Sequence, residues 1–143
     1  MTNFTSQRTF IIEWGVCDPA GIVFNSRFYE MFDHATWLLF ERALGVPRAG
    51  LSTACDIMGL PLVDARARFV LPVKFGDTVE MSSQVIEFRR SSFDVEHRLS
   101  VARELAVEGR ETRVWATRDK DDPERIKSKS IPAEVIARFN LSE

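Results

Sequence analysis

Residues 26–44 have the period of an α-helix, yet little of the helix circumference is polar. Phe28, Phe32, Ala35 and Leu39 form one stripe, Met31 and Leu38 widen it, and Tyr29, Trp37 and Phe40 carry apolar surface further round the axis. Arg27, Glu30, His34 and Glu41 gather on another flank. Such a helix, roughly 28 Å long at about 1.5 Å per residue, needs neighbours on several sides. Asn25 or Ser26 is placed to cap its start, and Gly45 and Pro47 to stop it.

Everything around that helix reads as strand. Residues 9–14, TFIIEW, form a short first strand. After the helix, residues 62–71 place Val63, Ala65, Ala67, Phe69 and Leu71 on one face, and Pro72 interrupts them. Residues 78–88 alternate through Val79, Met81, Ser83 and Val85, and residues 92–102 through Phe93, Val95, His97, Leu99 and Val101. Gly109 marks a turn into residues 110–118, where Thr112, Val114 and Ala116 alternate with Arg113, Trp115 and Thr117. The polar run DKDDPERIKSK is a loop, and Pro132 opens a short amphipathic tail with Val135, Ile136 and Phe139. Strand, long helix, then four strands with hairpin-like connections predict an α+β fold, one helix against an antiparallel sheet, in a single domain over residues 1–143. The other sheet face or an edge then needs cover, for which a second copy of the chain is the economical source.

Composition excludes several classes. With 45% hydrophobic and 28% charged residues, the 143-residue chain is neither disordered nor membrane-spanning. Its 19 basic and 21 acidic residues leave a formal charge of -2, which offers no general attraction to nucleic acid, and no recognition-helix or zinc-finger pattern is present. The opening MTNFTSQRTF lacks the apolar core of a signal peptide, so the cytoplasm is the expected compartment. Cys17 and Cys55 are too few for a disulfide scaffold, and neither they nor the two histidines define a metal site.

The informative segment is EWGVCDPAGIVF, where strand gives way to helix. Asp18 lies in a turn shaped by Pro19 and Gly21, just before a helix whose first N–H groups and positive pole are open. A carboxylate there can attack a carbonyl carbon or activate water, while helix amides receive the charge that develops on oxygen. Taken alone, Asp before Pro more often makes only a local turn hydrogen bond. Phe24 and Phe28 flank the loop and are candidate pocket residues. Phe32, Trp37 and Trp115 read first as core or interface. His34 and His97 read as structural, and Cys17 lacks a histidine positioned to activate it. Glu13 and Asp33 could orient local groups, and Asp64 lies on the strand face opposite Val63. Adjacent Arg89 and Arg90 at a strand end offer forked donors suited to phosphate.

The segments CDPAGIVF, PLVDARARF, EFRRSSF with the later His97, and SIPAEVIARF, together with Glu13 and Phe28, resemble the 4-hydroxybenzoyl-CoA thioesterase branch of the hot-dog-fold acyl-CoA thioesterases over almost the whole chain. The resemblance implies a hot-dog fold, a long central helix wrapped by a curved antiparallel sheet. It implies hydrolysis of an aromatic, hydroxybenzoyl-like, or short acyl-CoA thioester to free acid and coenzyme A. It assigns Asp18 as nucleophile or general base, the Asn25 backbone amide to carbonyl polarisation, and Gly59 to close backbone access or oxyanion support. Arg89, Arg90, Ser92 and Lys127 fall to coenzyme binding, with Lys129 a neighbour better read as a solvated charge. No separate cofactor or metal is implied, since coenzyme A is part of the substrate and a product. Homodimers pairing into homotetramers are implied, with sites spanning the interface. Three positions depart from the family pattern: Asn25 replaces a tyrosine, Arg27 an asparagine, and Ser91 a basic residue. Alternatives left open are a non-catalytic acyl-CoA binding or regulatory protein, a hot-dog dehydratase, and an acyl-carrier-protein thioesterase.

Overall fold

The computed structural model describes residues 2–140. Strand β1, Thr5–Ile11, is followed by a 3-10 turn at Trp14–Val16 and helix α1, Asn25–Leu44. A short helix α2, Arg48–Cys55, leads to β2, Leu62–Phe69, β3, Thr78–Phe88, β4, Ser92–Val101, and β5, Glu104–Val114. The chain closes with a small hairpin, β6, Ala116–Arg118, and β7, Ile126–Ser128, and helix α3, Ala133–Ala137. The five long strands form one antiparallel sheet in the order β1-β3-β4-β5-β2.

The inner face of the sheet and the apolar side of α1 make the core. At one end Phe28, Phe32 and Ala35 meet Val79, Met81, Leu99 and Val107. At the other, Leu39, Phe40 and Ala43 pack with Val85, Phe93, Val95 and Trp115, and the tail residues Val135 and Phe139 close that end. The expected alternations of β3 and β4 hold: Val79, Met81, Ser83 and Val85, and Phe93, Val95, His97 and Leu99, are all buried.

Four expectations need correction. The first strand lies earlier than residues 9–14, since Trp14 has left the sheet for the 3-10 turn. The Pro/Gly-punctuated stretch between the long helix and residue 62, where the sequence suggests no element, contains helix α2, of which only Leu51 is buried. Gly109 is not a turn. The β4–β5 turn falls at Ala102 and Arg103, with φ of 50° and 68°, and Gly109 sits inside β5 opposite His97. A Cβ at Gly109 would lie 2.5 Å from two carbons of the Phe32 ring, so glycine is there to admit the helix aromatic. Of the two alternating sets on β5, the inward one carries Glu111 and Arg113. Finally, Ile126–Ser128 of the polar run is a strand paired with β6.

Strand β2 is an edge. Its apolar residues are not covered within one chain: Val63 is 61% and Phe69 49% exposed, and Leu62, Val70 and Leu71 are also accessible. No helix among the described residues is long and apolar enough to cross a membrane.

Candidate active site

After the 3-10 turn, residues 16–24 fold back on themselves. The Phe24 N–H donates to Val16 O at 3.0 Å, Asp18 N–H to Ile22 O at 2.9 Å, and Gly21 N–H to Asp18 O at 2.9 Å. Pro19 fixes the backbone inside that turn, and Gly21 takes φ of 78°, a left-handed value that a side chain resists. The hairpin is tied to the β2–β3 connection: Val23 N–H donates to Val73 O at 2.8 Å and Phe75 N–H to Gly21 O at 2.9 Å.

Asp18 is half-buried at the head of this turn. One carboxylate oxygen, Oδ1, accepts the Ala20 N–H at 2.8 Å. The other has no hydrogen-bond partner among the described residues. The turn contact and a free reactive oxygen therefore coexist in one side chain.

Helix α1 begins at once. Phe24, with extended backbone, holds the capping position, and no side chain caps the end. The cap expected from Asn25 or Ser26 does not form, because Asn25 is already the first helical residue. No acidic residue lies in the first turn, so nothing neutralises the helix's positive pole. Asn25 and Asp18 line one cleft of about 480 Å³, walled by Ile22, Val23, Phe28 and Tyr29 and, from the end of β2, by Phe69, Val70, Leu71, Pro72 and Val73. Phe28 is thus a pocket residue, while Phe24 turns outward and is 47% exposed. Arg27 is not part of the cleft wall; its guanidinium pairs with Glu30 at 3.0 Å.

Gly59 is placed elsewhere. It bridges to Ala116 and opens, with Tyr29, Asp33, Trp37, Leu60 and Arg113, on an adjoining hollow. Tyr29 is the residue shared by the two concavities. Within one chain Gly59 and Asp18 do not meet.

The coenzyme candidates collect at one end of the sheet. Ser91 O accepts the Trp115 N–H, Trp115 O accepts the Lys129 N–H, and Arg90 O accepts the Ile131 N–H, each at 2.8 Å. Thr117 pairs with Lys127. These links bring Arg89, Arg90, Ser92 and Lys127 into one neighbourhood. Arg89 is engaged: it reaches Asp94 Oδ1 at 2.7 Å and Oδ2 at 3.2 Å, and its Nε donates to Ser92 Oγ at 2.8 Å. Lys129 pairs with Asp56 at 3.2 Å.

Two polar constellations escaped the sequence reading. Asp94 is buried and accepts from Arg89, Arg110 and Thr112. Those hydrogen bonds, Arg89 foremost, hold its carboxyl well below the usual range against the opposing effect of burial. Between helix and sheet, His97 lies stacked on Phe32 with centroids 4.9 Å apart. Its Nδ1 is 2.7 Å from Ser83 Oγ and its Nε2 2.9 Å from Glu111 Oε1. Arg113 donates to the other Glu111 oxygen at 2.6 Å and to Leu60 O at 2.9 Å, and pairs with Asp33 at 2.9 Å. Burial pushes the Glu111 carboxyl up, but hydrogen bonds from His97 and Arg113 outweigh it and bring it down to about 2. The signal in the sequence was His97 on an otherwise apolar face, which demands a buried partner. His34, by contrast, is exposed. No cluster of three or more His, Cys, Asp or Glu that could hold a metal occurs among the described residues.

A long helix laid on a five-stranded antiparallel sheet is the hot-dog arrangement, and here the Asp18 turn leads straight into the helix's open end. Comparison with known proteins agrees. The family profile of the thioesterase-like superfamily matches residues 12–139. The 4-hydroxybenzoyl-CoA thioesterase of Pseudomonas sp. (strain CBS-3) is 31% identical over 130 residues, covering 87% of this chain and 90% of that one. The solved structure of that thioesterase matches with a TM-score of 0.85 at 28% identity, over 95% of this chain and 99% of its own. A gentisyl-coenzyme A thioesterase matches with a TM-score of 0.79 at 29% identity, over 94% and 99%. The chain belongs to the thioesterase-like superfamily, in its 4-hydroxybenzoyl-CoA thioesterase branch, and is an acyl-CoA thioesterase with the hot-dog fold.

Proposed function

We propose that the protein hydrolyses an aromatic acyl-CoA thioester in the cleft between the Asp18 turn and the end of β2. The observation that carries this reading is the pairing, in one cleft, of a carboxylate with a free oxygen and the uncapped start of a helix. Asp18 acts on the thioester carbon in one of two ways. Its oxygen adds to that carbon and expels the coenzyme thiolate, leaving a mixed anhydride that water opens. Alternatively it takes a proton from water, and the hydroxide adds and expels the thiolate, which receives that proton. Both routes put negative charge on the carbonyl oxygen, where the Asn25 N–H and the helix pole stabilise it.

Phe28, Tyr29 and Phe69 line the acyl side, and flat rings stack well against them. Asn25 in place of tyrosine makes this wall smaller and more polar. The names of the related enzymes, hydroxybenzoyl and gentisyl thioesterases, support an aromatic acyl group. So does a solved complex of a 4-hydroxybenzoyl-CoA thioesterase 28% identical to this chain, in which an Asp-to-Asn mutant holds 4-hydroxybenzoyl-CoA. The phosphates fall to the basic end of the sheet. A homodimer, and a tetramer built from it, would cover the apolar edge of β2 and bring Gly59 of a second chain toward the cleft. Sedimentation showing only the 16.3 kDa chain at micromolar concentration would remove the dimer from this reading.

The test is release of free thiol from benzoyl-, 4-hydroxybenzoyl-, phenylacetyl- and acetyl-CoA. Aryl esters are expected to give kcat/KM at least about tenfold above acetyl-CoA, the discrimination that apolar ring burial supplies. Coenzyme binding without turnover on any ester would overturn hydrolysis in favour of an acyl-CoA binding protein.

A further inference from the structure

We propose that Arg113 is a positioning residue for the reaction: its guanidinium fixes the Gly59 loop against helix α1, so that loop and helix present themselves to an ester at one set spacing. This rests on the thioester reading above, in which the Asn25 N–H and Gly59 serve the site.

Residues 58–61 run beside the end of β5 and the start of β6. Met58 N–H donates to Ala116 O at 2.8 Å, Ala116 N–H to Gly59 O at 3.4 Å, and Val114 N–H to Pro61 O at 3.0 Å. These main-chain bonds fasten the loop to the strands and not to the helix. Among the described residues, the polar link from loop to helix is Arg113. Its Nη1 donates to Leu60 O at 2.9 Å, and its Nη2 donates to Glu111 Oε2 at 2.6 Å and pairs with Asp33 Oδ1 at 2.9 Å. One planar group joins the residue after Gly59, strand β5 and helix α1. Asp33 stands about two turns after Asn25 and one after Tyr29, the side chain common to the cleft and the Gly59 hollow. The anchor is itself held: Glu111 accepts from Thr36 of α1 and lies 2.9 Å from His97, and all three are buried.

Stability alone is a poor reason for such a group. Apolar side chains of similar volume hold a core as well as a buried ion pair does, or better, because the charges must be stripped of water. What apolar side chains lack is direction. A guanidinium offers its donors in a rigid fork, and here both terminal nitrogens are engaged, with Nε alone left without a partner. Direction matters at a reacting centre, where a displacement of about 1 Å can cost on the order of a hundredfold in rate.

The experiment separates holding the fold from holding the loop. The double change Glu111→Leu with Arg113→Met removes both charges, so its Tm is expected to lie well above that of Arg113→Met alone. Its kcat on an aryl-CoA ester is nevertheless expected to stay about tenfold or more below that of the unaltered protein, with the affinity for coenzyme A within about threefold. Hydrogen exchange of the Met58, Gly59 and Leu60 amides is expected to quicken about tenfold while the β3 amides keep their rates. The assignment is overturned if the double variant regains Tm with kcat within about twofold, or if those loop amides exchange as before. Should the double variant fail to fold, Arg113→Lys decides: it keeps a cation beside Glu111 but lacks the fork that spans Leu60 O and Asp33. A several-fold fall in its kcat at unchanged coenzyme A affinity is expected, and an unchanged kcat overturns the assignment. Absence of turnover by the unaltered protein would strike the hydrolase reading, whereas the exchange rates bear on Arg113 and its loop alone.

Discussion

Asp18→Asn is expected to lower kcat for an aryl-CoA ester about a thousandfold, with the affinity for coenzyme A held within about threefold. The size follows from what the carboxylate does: a positioned general base contributes on the order of 10²–10⁴ in rate, and a nucleophile cannot be replaced by an amide at all. The selectivity follows from geometry. Asparagine keeps the oxygen that accepts the Ala20 N–H at 2.8 Å, so the turn survives. The basic end of the sheet, to which the phosphates are assigned in the proposed reading, belongs to other strands. Stopped-flow or steady-state thiol release, with calorimetric titration of coenzyme A, checks both halves. A fall in kcat below about tenfold would show that the chemistry belongs to another group.

The largest effect on stability is expected from Arg113→Met. Arg113 is 4% exposed and is the cation facing Glu111, which is 1% exposed. Removing the guanidinium leaves a buried carboxylate with His97 and Thr36 alone, and also strips the Leu60 carbonyl of its donor. Breaking such a pair costs about 3–5 kcal/mol, which lowers Tm by about 10 °C or more in a chain of this size. The double change Glu111→Leu with Arg113→Met removes both charges and is expected to recover much of the loss, which thermal melts of the single and double variants read directly. The same pair sets an acid limit. Glu111 titrates near 2 in the folded chain against 4.5 as its ordinary value, so the folded state binds its proton less readily than the unfolded one. Its stabilisation is complete above about pH 4.5 and is lost as pH falls toward 2. Asp94 acts in the same direction. The acid limb of the stability curve is therefore expected to be shallower in the double variant, and an unchanged limb would exclude Glu111 from it.

The sequence made α1, β3 and β4 legible because apolar residues recur there at the spacing of their element and meet a real core. The β4–β5 turn was not legible. Ala102 and Arg103 take positive φ with no glycine, asparagine or aspartate to announce it, while Gly109 suggested a turn and served packing instead. That misplacement hid which face of β5 is inward, and with it the Glu111–Arg113 pair. Charged residues in a strand read as solvated unless a partner is known, and partners across a sheet depend on register. At the site, Asp18 and the helix start were readable because Pro19 and Gly21 constrain a few local residues. The cleft's second wall, Phe69 to Pro72, comes from more than forty positions along the chain, and only the folded sheet brings it opposite Asp18.

The way the Asp18 hairpin is fastened has a consequence for how a bulky ester enters. Main-chain bonds through Val23 and Phe75 rivet that hairpin to the lead-in of β3, so the backbone that carries Asp18 moves only if the sheet's own connection moves. The opposite bank is held as well: the Val70 and Leu71 N–H groups both donate to Ala106 O, at 2.8 and 3.1 Å, and Val73, to which the hairpin is tied, belongs to that wall. Both banks of the cleft are therefore fastened to the same sheet, so on the reading proposed above an acyl group enters a slot whose two sides move together.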